Sequence, residues 1–177
     1  MKIANQVATV VYDGLRDTLT ERIVQTALKA VGKTAVALMQ ERIMAKRVDI
    51  NGNKFAPLTS AYKKRKAKLV QKSIKGSTEF RATNVNDNLR LTGQLLKSFR
   101  ADIVSSKIGK GTVRLQLRLS VSANQARKAE GLLRKRQFFG LSKGGANVRY
   151  EQQQLKKVFL REVQQALNTK ASITVKT

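Results

Sequence analysis

The ten residues TVRLQLRLSV, 112–121, alternate without a break: Val113, Leu115, Leu117, Leu119 and Val121 fall on one side, and Arg114, Gln116, Arg118 and Ser120 on the other. A strand's side chains repeat every two residues, so this segment has one face to bury and one left to solvent or a partner. Preceded by SFRADIV and a Gly-Lys-Gly junction at 109–111, it reads as the second arm of an antiparallel hairpin. Such a sheet needs a cover for its apolar face, and the rest of the chain must provide it.

Residues 20–46 supply the main candidate. Ile23, Ala27, Val31, Ala35, Leu38 and Arg42 run down one stripe, with Val24, Leu28, Met39 and Ile43 beside them, the spacing of an amphipathic helix. At 1.5 Å per residue it would be roughly 40 Å long, enough to cross a small domain. Thr18 and Glu21 have capping-box spacing near its start. NVRYEQQQLKKVFLREVQQALN, at 147–168, reads as a second amphipathic helix with Leu155, Val158, Phe159, Val163, Ala166 and Leu167 as its stripe. Between them, Asn51-Gly52 marks a tight turn, Phe55 and Leu58 anchor the chain around Pro57, and Thr59 or Ser60 caps a short basic helix over 61–70. Thr92 caps a helical turn holding Leu95 and Leu96. Residues 71–90 are polar and without a period, a long loop or arm; residues 1–18 form an N-terminal segment, 122–133 a polar stretch, and 169–177 a tail that is either a strand or disordered. The expected fold is a single α+β domain, with a long N-terminal helix and a C-terminal helix packed on an antiparallel sheet.

Chemistry is constrained by what is missing. The 177 residues include no cysteine and no histidine, which removes disulfides, thiolate metal sites and the commonest general base. No run of 18 apolar residues is present to span a membrane. The first 14 residues have an apolar stretch broken by Asn5, Gln6 and Thr9 and read as mature protein, not a signal peptide. VGKT, ending at Thr34, lacks the phosphate loop's earlier glycine, since that position is Ala27 inside the long helix. Asp13, Asp17 and Glu21 would align three carboxylates on one helical face, either a divalent-cation site or, more simply, a solvated face or negative charge at a helix start. A Ser–Lys dyad has nothing marking it. The expectation is a protein without catalytic residues, cofactor or metal.

The outlier is charge. Lys and Arg number 36 against 11 Asp and Glu, a net +25, and the excess is lopsided: 9 basic and 5 acidic side chains in residues 1–62, 27 and 6 in residues 63–177. Such a chain repels its own copies and attracts polyanions or acidic proteins. Lys63, Lys64, Arg65, Lys66, Lys68, Lys72 and Lys75 cluster without an acid between them. Three readings stay open for the cluster: a solvated face, a dock for an acidic protein, and non-specific contact with nucleic-acid backbone. The nine aromatic residues are not interleaved with cations as a base-stacking platform requires.

GNKFAPLTSAYKKRK, LRLTGQLLKSF, Gly131 and RQFFGLS follow one another after the long helix. In that order they resemble the bacteriophage virion-morphogenesis family, the tail-completion and head–tail joining proteins of the phage neck. Gly52, Phe55, Pro57 and Leu58 fit its first block, Leu91, Thr92, Gly93, Leu95 and Ser98 its second, and Arg136, Phe138, Gly140, Leu141 and Ser142 its last; the likeness spans about residues 20–165. Gln137 stands where the family has proline, and no histidine precedes Gly131. The resemblance implies a structural virion protein, made in the bacterial host cytoplasm, that closes into a ring, a homohexamer, against connector or tail proteins. It also implies that DNA passes through that ring, with Arg114 and Arg118 facing the lumen. The expected partner surface is Phe55, Pro57, Lys63, Lys64, Arg65, Lys66, Lys68, Arg136, Phe138 and Phe139. If extended, Phe138 and Phe139 point to opposite faces, one into the core and one into a neighbour; the simpler account tucks both into one core. The other functional class open to the sequence is a basic nucleic-acid-binding module acting through phosphate contacts.

Overall fold

The computed structural model describes residues 4–13, 18–57, 59–61, 63–64, 94–109, 112–134 and 137–174. Three antiparallel strands form the sheet: β1 (Ala4–Asp13), β2 (Phe99–Gly109) and β3 (Thr112–Val121), in the order β1-β3-β2. The alternating segment is thus the central strand. Its apolar side is fully enclosed, with Leu115, Leu117 and Leu119 at 0% exposure; burying each such leucine contributes roughly 1.5–3 kcal/mol. The opposite face carries Arg114, Gln116, Arg118 and Ser120, half-buried or exposed.

Helices cover one side of this sheet. α1 (Thr18–Glu41) buries Ala27, Leu28, Val31, Ala35, Leu38 and Met39, the expected stripe. It comes unusually close to the sheet at Gly32, where a Cβ would sit 2.7 Å from Ala101 Cβ and 3.0 Å from Leu117 Cδ1. The glycine of VGKT is therefore a packing residue, and the phosphate-loop likeness has no structural counterpart. α1 runs on into one π-helical turn, Arg42–Lys46, closed by Arg47 in the left-handed conformation at φ 55°. α2 (Gln94–Lys97) holds Leu95 and Leu96 buried as expected and is tied to α1 by Gln40 Nε2 donating to Leu96 O at 3.0 Å. α4 (Asn147–Thr174) packs along α1, and its Leu155, Val158 and Phe159 join the cluster of Leu28, Val31, Leu115 and Leu117. This is the expected α+β domain, with its helices on one face of the sheet.

Two expectations are corrected, and two segments to which the sequence assigned no element gain one. The N-terminal segment contains β1, paired with β3 from Ala4 opposite Ser120 to Asp13 opposite Thr112. Asp13 therefore ends a strand, so it cannot stack on Glu21 along one helix; Glu21 instead accepts from Gln25 Nε2 at 3.0 Å. The polar stretch 122–133 is a helix, α3 (Ala123–Leu133), which buries only Ala126 and Ala129. The C-terminal tail is neither strand nor disordered through residue 174, because α4 continues to Thr174. The arm at 71–90 lies outside the described residues.

Candidate functional site

Described residues from all three resembling blocks meet in one part of the domain. Phe55, Leu95, Leu96, Phe99, Phe138 and Phe139 belong to a single buried cluster with Ala35, Met39 and Ile43 of the first helix. Phe99 lies between the two phenylalanines: its ring is 6.3 Å from Phe138, stacked, and 5.4 Å from Phe139, edge-on. Phe138 is 0% and Phe139 6% exposed. The expectation of a partner-facing Phe139 is thereby corrected. Residues 137–141 are bent, not extended, and Gly140 at φ 108° turns the chain so that consecutive rings enter the same core.

What holds that bend is a buried arginine. Arg42 sits on the apolar stripe of the first helix at 1% exposure. Its Nη2 donates to Phe138 O at 2.9 Å and Gly140 O at 2.6 Å, and its Nη1 to Ser142 Oγ and Glu151 Oε1, both at 3.1 Å. Glu151 in turn accepts from Ser142 N at 2.6 Å and Ser142 Oγ at 2.8 Å. Gly140 N donates to Met39 Sδ at 3.2 Å. Burial pulls the Arg42 guanidinium below its ordinary value, and the facing Glu151 carboxylate, with a smaller share from Asp49, opposes that shift. The chain from Phe138 to Ser142 is therefore wrapped around a cation whose two terminal nitrogens are both bonded. Of the guanidinium's three nitrogens, Nε alone has no hydrogen-bond partner among the described residues.

A second clip joins the Asn-Gly turn to the same segment. Asp49 Oδ1 accepts from Asn51 N and Asn53 N, each at 2.8 Å, and Gly52 adopts φ 88°, an Asx turn. Ile50 N donates to Gln137 O at 2.8 Å, and Ile50 O accepts from Lys143 N at 2.6 Å. Asn51 Nδ2 reaches Gln137 Oε1 at 3.2 Å. Gln137 thus bonds the turn through both backbone and side chain. Gly144 approaches Asn51 O closely enough that a Cβ would stand 3.0 Å from it.

The expected partner surface separates into two groups. Phe55, Phe138 and Phe139 are interior, so they shape that part of the domain without being available to a partner. Pro57 and Lys64 are exposed, Lys63 is half-buried, and Lys63 N donates to Thr59 O at 2.9 Å. Arg65, Lys66, Lys68 and Arg136 lie outside the described residues. On the outer sheet face Arg118 is exposed and donates to Gln116 Oε1 at 2.6 Å, while Arg114 is half-buried with its Nε unpartnered among the described residues. Arg100 and Asp102 of β2 share this face, opposite Ser120 and Arg118, and Ser120 Oγ donates to Asp102 Oδ2 at 2.6 Å.

Sequence reasoning missed Glu151 and Ser142 as the partners of Arg42. A signal existed: Arg42 and Glu151 are the charged residues on otherwise apolar stripes of two helices, and opposite charges so placed can neutralise one another where the helices meet. No group of three or more carboxylates that could hold a metal occurs among the described residues. Comparisons with protein-family models, with curated proteins and with solved structures give no match to this chain.

Proposed function

We propose that this chain is a non-enzymatic structural protein of a phage virion, closing into a ring at the head–tail junction or tail end and working through shape and cationic surface. The observation that carries the reading is the convergence of the resembling blocks. Phe55 of the first, Leu95 and Ser98 of the second, and Phe138, Gly140 and Ser142 of the last are up to about ninety residues apart in sequence, yet they fall within one packed and hydrogen-bonded unit. Residues that build one shared substructure are what a family pattern records when the family's common property is a fold. The basic outer sheet face, with Arg100, Arg114 and Arg118, suits a surface that faces DNA without reading its sequence.

Sedimentation of the purified chain, alone and mixed with isolated tail tubes and connectors, tests the proposal. A discrete ring-sized species, or co-sedimentation with either partner, is expected. A monomer under all three conditions would count decisively against it.

The same arginine face favours a second reading, a nucleic-acid module held by phosphate contacts. It requires duplex affinity that falls steeply with salt. Absence of binding at moderate salt would retire it.

A further inference from the structure

We infer that the free edge of β2 and the cationic flank of α1 form a groove that takes up an extended acidic segment of another protein as an added strand. In the order β1-β3-β2, the outer edge of β2 pairs with nothing among the described residues. An unpaired edge presents a row of N–H and C=O groups that templates strand addition. Over Phe99 to Ser106 the edge of β2 carries neither of the devices that break a ladder outright, a proline or a bulge. It is 11 residues long and contains no proline, and its irregularity falls at Lys107/Gly109, leaving Phe99 to Ser106 in regular register with β3.

Alongside this edge lies an open groove of about 390 Å³ lined by Lys29, Lys33, Val36, Phe99, Arg100 and Ala101. Its floor is apolar, and its rim carries three cations with no ion-pair partner among the described residues. Lys29 and Lys33 are one helical turn apart, a like-charge spacing that works against the helix unless an anion lies between them. A strand added to β2 would turn alternate side chains toward this flank, so acidic residues there would meet Lys29 and Lys33. A second copy of this chain is a poor occupant, because its net charge of +25 is repelled by a cationic groove. A nucleic acid can neutralise the rim but has no peptide backbone to complete the ladder. The inference does not rest on the ring proposed above: the groove can take an acidic segment whether or not this chain forms a ring.

Fluorescence anisotropy on the full chain tests it, using a labelled decapeptide of alternating valine and glutamate. A decapeptide of alternating proline and glutamate carries the same charge but has lost half of its main-chain donors, and its rings hold φ near about −65°, away from an extended ladder. The valine peptide is expected to bind at least about tenfold more tightly than the proline peptide, since main-chain hydrogen bonds supply the affinity in strand addition. Lys29→Glu/Lys33→Glu should weaken it at least about tenfold, against less than about twofold for Lys156→Glu/Lys157→Glu, which changes net charge equally on the exposed side of α4. In the unmodified protein, peptide-induced amide shifts should concentrate on residues 99–106, a readout independent of how the variants fold. Equal binding of both peptides, equal losses in both double variants, no binding, or preference for an oligothymidine over the valine peptide would each overturn the inference.

Discussion

Arg42 and Glu151 face each other at 3.1 Å with 1% and 4% of their side chains exposed, the one from the first helix and the other from the last. Taking two charges out of water costs several kcal/mol per ion, and the pair offsets this only because Ser142, Phe138 O and Gly140 O complete its hydrogen bonds. Removing one member leaves the other buried without compensation. Glu151→Ala should destabilise the fold by about 3–5 kcal/mol in urea unfolding, whereas replacing both residues with apolar ones of similar size should cost far less. Equal losses in the single and double variants would show that the pair is not coupled.

Gly32 invites a substitution that helix propensity alone would favour. Alanine gains about 1 kcal/mol as a helix former over glycine. At this crossing, however, its Cβ meets Ala101 at 2.7 Å, and overpacking of this kind costs about 1–3 kcal/mol. Gly32→Ala is expected to lower Tm by several degrees. A raised Tm would mean the helix shifts off the sheet without penalty.

Phe139 now has a different expected phenotype from that of a partner-facing ring. A carboxylate placed beside Phe99 would be buried without a cation, so Phe139→Asp should unfold the chain, visible as lost near-ultraviolet dichroism and a broadened amide spectrum. Retention of a native spectrum with loss of assembly would return the residue to an interface role.

Leu160 and Leu167 show the opposite case. They are 53% and 54% exposed on the last helix, so Leu160→Gln/Leu167→Gln should change stability by no more than about 0.5 kcal/mol per site. A larger loss in dilute protein would show that these side chains are covered in solution.

The legible parts of this fold are those in which one residue pattern serves one face. The run from Val113 to Val121 and the stripe from Ala27 to Met39 bury the residues their periods predict. β1 hid because its register slips between Gln6 and Ala8, so no single alternation runs through it. α3 hid because its contact residues are alanines, Ala126 and Ala129, which leave almost no apolar signature. The two phenylalanines were ambiguous for a conformational reason: a period of two applies only to extended backbone, and Gly140 bends it. Arg42 could be placed on its stripe from sequence, but its partners could not be named, because they come from a bend and a helix about a hundred residues away.

That separation has a kinetic consequence. Every side-chain bond of the Arg42 guanidinium spans 96 to 109 residues, so it can form only after the chain has closed a very long loop. Local helices and the β2–β3 hairpin should already be in place when the guanidinium is enclosed. Substitutions at Arg42 or Glu151 should therefore accelerate unfolding far more than they slow refolding, and the enclosed cation acts as a late-fastened latch that sets how long the native state persists.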